Sequence, residues 1–296
     1  GNFQVMNWSE LKRRTRISWS RSGSTALLCV FLLPHILCAH GNLHKEIEAL
    51  SAKIEVSPRN VDLWLERADL SRQHRDYDGA LRDLVSAREL NPKAAEYDFL
   101  LGRLMVQARW YKSALFHLNR FITKNPGGVD ALLLRAKALY VTFEIFGSCR
   151  DYDLAIPMLK SPQPAHFLEQ ARAHASHSKT GPKVAIRRLE EGMRRIGAVP
   201  TLQEAALQYE LRLRDFTGAL ARVDQLLSEA PRKERWLIQK GQILLRAERV
   251  AEARVVFNNV VALVDVLPEV VRNRPINQDL KQTAEAFLLE IKVPNN

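Results

Sequence analysis

The chain has 296 residues, with 44 Lys and Arg against 33 Asp and Glu, giving a formal charge of +11. That excess bears on partners and solubility rather than on fold. The length is ample for a packed core, and the absence of a phosphate-cradling glycine loop, a zinc-ligand spacing or a nucleophile motif argues against catalysis.

In chain order, the first predicted element is an export signal. Lys12, Arg13, Arg14, Arg16 and Arg21 precede an uncharged stretch from Ser22 to Ala39 whose apolar heart is Ala26 to Leu33. A basic flank, a short apolar core and a small residue before a polar start describe a secretory signal peptide over residues 1–39, with cleavage after Ala39. Pro34 and His35 interrupt the apolar run, which argues against a stable membrane span. The alternative is an uncleaved signal-anchor, the only route by which a membrane would be a partner. The expected location is periplasmic or secreted. Cys29 and Cys38 fall in this segment, so Cys149 stands alone beyond it, forms no internal disulfide and reads as a buried structural thiol. Cleavage after Ala39 would leave His40 at the mature terminus. Its amine and imidazole, with His44 four residues on, could then chelate a cupric ion; no other cofactor is expected.

Residues 40–60 read as a capping helix, since Leu43, Ile47, Leu50 and Ile54 form one apolar stripe that ends at Pro58. Residues 61–267 follow a period near 34. Ala80, Ala114, Ser148, Ala185, Ala219 and Ala253 are separated by 34, 34, 37, 34 and 34 residues. A parallel series, Ala68, Gly102, Ala136, Ala171, Leu207 and Gly241, is separated by 34, 34, 35, 36 and 34. Such a period means stacked helical hairpins, each burying its face against its neighbours. The small residues mark where the two helices of a hairpin cross, because a larger Cβ substituent there would push them apart. Residues 268–296 hold a linker bracketed by Pro268 and Pro275, then a second capping helix whose stripe is Leu280, Ala284, Phe287, Leu288 and Ile291.

The first repeat, counted from Val61, has Trp64, Ala68, Tyr77, Ala80, Leu84, Ala87 and Pro92; the second has Gly102, Tyr111, Ala114, Leu118 and Pro126; the sixth has Gly241, Ala253, Phe257 and Val260. These residues resemble the tetratricopeptide repeat family. The pattern departs at Ile145 and Ser148 in the third repeat, at Gly192 and a longer turn from Ser176 to Pro182 in the fourth, and at Leu207 in the fifth. The resemblance implies an all-α, right-handed superhelical solenoid of about six hairpins with a capping helix at each end. It also implies a concave groove lined by the first helix of each hairpin. Mapped onto this sequence, the groove positions give Arg72, Gln73, Arg103, Gln107, Lys137, Tyr140, Arg172, Arg212 and Arg246 as candidate partner-binding residues. The lysine and asparagine with which some members grip a chaperone's terminal carboxylate are missing.

The expected function is a non-catalytic protein–protein interaction scaffold or adaptor acting outside the cytoplasm through this groove. Its partner would be a protein or peptide, an acidic one suiting the basic wall. The rival reading is a ligand- or metal-binding accessory protein, using the basic groove for an anion or the N-terminal histidines for copper. Nucleic acid is disfavoured as a partner, because acids are interspersed with the bases, as in Arg187, Arg188, Glu190, Glu191, Arg194 and Arg195.

Overall fold

The computed structural model describes residues 34–92, 96–178 and 181–292, with side chains from 43 to 291 within them. The basic flank and apolar heart of the expected export signal lie outside the described residues. Among the described residues there are fifteen helices and no strand. The chain divides into two compact units, residues 1–158 and 159–296, each with its own apolar core.

In the first unit, α1 (Pro34–Val56) packs on α2 (Val61–Gln73). Three hairpins follow: α2 with α3 (Tyr77–Leu90), α4 (Glu96–Gln107) with α5 (Tyr111–Lys124), and α6 (Val129–Val141) with α7 (Ile145–Met158). The stripe on α1 is real: Leu50 and Ile54 are buried. Its helical backbone runs unbroken past Ala39 and His40.

Both helices of the first hairpin start with local chemistry. Asn60 accepts from the Asp62 N–H at the start of α2, and Asp76 accepts from the Gly79 N–H at the start of α3. Such caps satisfy donors that the first helical turn leaves without an internal partner. The core of the unit is the small-residue series itself, with Ala68, Ala80, Ala114 and Ala136 buried, filled on either side by Leu84, Leu101, Leu104 and Leu118.

The second unit has the hairpins α8 (Pro164–His177) with α9 (Gly181–Ile196), α10 (Pro200–Arg212) with α11 (Phe216–Glu229), and α12 (Glu234–Arg246) with α13 (Val250–Asp265). A short α14 (Glu269–Arg272) leads to α15 (Pro275–Lys292), which packs on α12 and α13. The stripe on α15 covers the end of this core. Ala284 is fully buried, and the Phe287 ring stacks on Phe257 with centroids 4.9 Å apart.

Glycine is required at two crossings of this unit. A Cβ on Gly241 would lie 2.5 Å from the Phe257 ring, and one on Gly192 would lie 2.6 Å from the Phe167 ring. In the fourth repeat, then, the aromatic ring comes from the first helix and the gap that receives it from the second. Leu207, large where a small residue is usual, is nonetheless fully buried.

The extra residues of the fourth repeat do not sit where the sequence suggests. Ser176 and His177 lie in α8, and Gly181 and Pro182 lie at the start of α9. The surplus is taken up in the helices, which have 14 and 16 residues. A helix absorbs added residues with all its hydrogen bonds made, whereas a longer turn would leave polar groups to be satisfied elsewhere.

Candidate functional site

Residues three and four apart on a helix share a face, so Asp69, Arg72 and Gln73 of α2 point the same way. Arg72 donates from Nε to the Asp69 carboxylate at 2.9 Å, and Gln73 donates from Nε2 to it at 3.0 Å. Arg103, the counterpart of Asp69 on α4, reaches across to the same carboxylate. Arg72 closes the circuit by donating from Nη1 to Gln107 Oε1 at 2.7 Å. The structure therefore brings four predicted groove residues, Arg72, Gln73, Arg103 and Gln107, around one acid, Asp69.

Asp69 offsets part of the positive charge expected here. The Arg103 guanidinium lies over the Phe99 ring at 5.5 Å, and its Nε is buried without a hydrogen-bond partner among the described residues. Burial, and then the neighbouring Arg72 charge, hold Arg103 below the usual arginine range, against the pull of Asp69 and of Asp130 at the start of α6. An arginine crowded in this way gains from any further acceptor brought to it.

The remaining candidates are placed differently. Lys137 is exposed and Tyr140 half-buried on α6, the next first helix of the same unit. In the second unit Arg172 is exposed on α8, and Arg212 and Arg246 are the exposed last residues of α10 and α12. None of these three has a side-chain partner among the described residues. Arg212 and Arg246 complement the negative end of the helix dipole, which gives them a structural reason as well. His44 faces Glu48, with Nε2 3.2 Å from the carboxylate, and its ring centroid is 6.3 Å from that of His74. The side chain of His40 lies outside the described residues, and among those described no group of three or more His, Cys, Asp or Glu could hold a metal.

The sequence reading missed the charges inside the hairpins. Arg67 forms a two-pronged pair with Asp83 at 2.9 and 2.7 Å, and Arg135 the same pair with Asp151 at 2.6 and 2.9 Å. The signal was available: Arg67 and Arg135 are 68 residues apart, as are Asp83 and Asp151, twice the repeat. In the repeat between them the two positions carry Leu101 and His117. There the buried His117 Nδ1 meets Asp98 at 2.9 Å, with Arg120 Nε 3.3 Å from the other oxygen. In the second unit Arg222 donates to Glu210 at 2.8 and 2.6 Å and to Glu190 at 3.2 Å.

A second series was also missed. Arg75, Arg109, Phe143, Arg214 and Glu248, at the turn between the two helices of their repeats, have φ near +60° (65, 62, 65, 58 and 60°). The next backbone N–H closes the turn onto the fifth residue back, as in Asp76 to Ser71 and Trp110 to Met105. This is a helix-ending turn in which glycine is the usual occupant.

The family model for the tetratricopeptide repeat matches residues 65–115 and 205–264. The crossings and the hairpin order agree with this match, and over these residues the chain carries tetratricopeptide repeats. Among solved structures it is similar to YrrB, described as a tetratricopeptide-repeat protein with an unusual peptide-binding site, at 15% identity and a TM-score of 0.53, covering 69% of this chain and 99% of that one. A tetratricopeptide repeat protein from Parabacteroides merdae ATCC 43184 is similar at 15% identity and a TM-score of 0.52, covering 94% and 98%. PilW, described as a type IV pilus biogenesis factor, is similar at 14% identity and a TM-score of 0.54, covering 66% and 89%. At these identities the likeness is one of fold. No curated protein matches the chain.

Proposed function

We propose that this protein is a non-catalytic scaffold that acts outside the cytoplasm and holds a segment of another protein on the face made by the first helices of its hairpins. The fold supports an interaction scaffold in general terms. The observation that carries the specific reading is the network around Asp69. Small and apolar residues occupy the crossings, while the outward positions of α2 and α4 hold Arg72, Gln73, Arg103 and Gln107 in fixed mutual geometry. Side chains already ordered against one another lose less freedom when a partner binds. YrrB, which shares the fold, is described by its peptide-binding site. The leader pattern of residues 1–39 supports export.

The test is a pull-down from the cell-envelope fraction with the tagged protein and with Arg103→Glu/Lys137→Glu. Loss of a captured protein on charge reversal is expected, and an unchanged set of captured proteins would overturn the use of this face. N-terminal sequencing of the protein from the same fraction should begin at His40; recovery from the cytosol alone would refute export.

A further inference from the structure

The turns of the first unit form an edge that adjoins the first-helix face and shares Arg72, Gln73 and Gln107 with it. Arg75 follows α2, Arg109 follows α4 and Phe143 follows α6, each at the same place in its repeat and each with φ between 62 and 65°. All three side chains are exposed, Phe143 to 88%. Neither Arg75 nor Arg109 has a side-chain partner among the described residues, in contrast to Arg72 and Arg103 beside them. The two arginines border an open cavity of about 690 Å³ whose walls also include Arg72, Gln73, Gln107 and Tyr77, and no carboxylate lines it. Arg72 and Gln73 already donate to Asp69, which leaves the Arg75 and Arg109 guanidiniums, the Gln107 amide nitrogen and the Tyr77 phenol as donors that suit a carboxylate.

Glycine would hold these turns with less strain. A positive φ at a bulky residue such as phenylalanine is a true outlier, and Phe143 gains no burial from it.

We propose that this turn edge is a second docking site, for an extended acidic segment of a partner protein that carries a large apolar residue at one end. The inference rests on the scaffold reading but assigns the contacts to Arg75, Arg109 and Phe143 at the adjoining edge. Neighbouring helices pack about 10 Å apart, and an extended chain advances about 3.3 Å per residue. A segment along the edge would thus set acidic residues three apart over Arg75 and Arg109, with its apolar residue three further on, against Phe143.

The probe is a fluorescein-labelled peptide of sequence Glu-Gly-Gly-Glu-Gly-Gly-Phe, read by fluorescence anisotropy on the full chain. It should bind about tenfold tighter than its Gln-Gly-Gly-Gln-Gly-Gly-Phe counterpart and weaken as salt is raised. Arg75→Gly/Arg109→Gly should lower its affinity by about tenfold, and Phe143→Gly by about threefold. Glycine suits the backbone at all three positions, so thermal melting should be unchanged or higher and the loss reads as loss of the side chain. Equal binding of the glutamine peptide, unchanged binding by the double variant, or tighter binding of an oligouridylate RNA would each overturn the proposal. Peptide binding lost on Arg103→Glu but kept in Arg75→Gly/Arg109→Gly would refute the edge and leave the scaffold reading standing.

Discussion

Asp151 has no exposed surface and holds the mostly buried Arg135 through both oxygens. A buried pair is weak evidence for net stability, because desolvating two charges offsets most of their attraction. Removing one partner is another matter, since the survivor stays buried and uncompensated. Asp151→Ala should therefore destabilise the first unit by about 3–5 kcal/mol in urea unfolding. Arg135→Met/Asp151→Leu, which fills the site with apolar groups, should recover most of that. A double variant as unstable as Asp151→Ala would mean the pair adds stability in its own right.

His117 occupies the equivalent position one repeat away from each such pair. Burial pushes its imidazole below the usual histidine range, and the Arg88 and Arg120 charges add to this, while Asp98 works in the opposite direction. The unfolded chain then takes up a proton below about pH 6.5 that the folded chain refuses until lower pH. The proton count is greater on the unfolded side, so stability falls as the pH drops through that window. Urea midpoints measured at pH 7.5 and 5.5 should differ less for His117→Gln than for the natural sequence. An identical pH dependence in both would exclude His117 as a source of it.

At the scale of the element, the sequence exposes crossings more readily than turns. Apart from Leu207, the crossings hold Ala, Gly or Ser, so their spacing shows plainly in Ala80, Ala114 and Ser148, all buried. Turns are defined by backbone angles that several residues adopt at a modest penalty of about 1–2 kcal/mol. Arg75, Arg109, Phe143, Arg214 and Glu248 share one φ but none is glycine and the side chains are mixed, so the usual residue signature of such a turn is missing. The misplaced surplus of the fourth repeat has the same origin. Gly181 and Pro182 look like a turn, but proline is tolerated in a first helical turn, where its missing N–H is not needed. Both residues lie at the start of α9. The candidate site was legible in part for a related reason. Helical spacing identifies the side chains on one face, and Arg72, Gln73, Arg103 and Gln107 do converge. It does not say that Asp69 sits among them as their common acceptor, because that depends on how α2 and α4 are set side by side.

At the scale of the whole molecule, a run of hairpins has an intrinsic problem at its ends. Each repeat buries its face on the next, so the last one exposes an apolar surface unless something different covers it. In the second unit α15 does this. Phe287 stacks on Phe257, Leu280, Leu288 and Ile291 pack on the same core, and Lys281 reaches Asp265 at 2.5 Å. The outer positions Asp279, Gln282, Glu285 and Glu290 are exposed, which turns a sticky end into a wettable one. Phe287 is half-buried, so Phe287→Ala should cost about 2–3 kcal/mol, below the 3–5 kcal/mol of a fully enclosed aromatic. For a unit of this size that is a fall in Tm of about 5–10 °C. Truncation after Leu267 removes the whole covering and should add a rise in binding of an apolar dye, because the Phe257 ring and its neighbours then face water. The charge-reversed Glu285→Lys, on the outer side of the same helix, should leave the melting temperature within about 1–2 °C of the original. If Phe287→Ala melts no lower than Glu285→Lys, α15 is an appendage and the second unit closes its core without it.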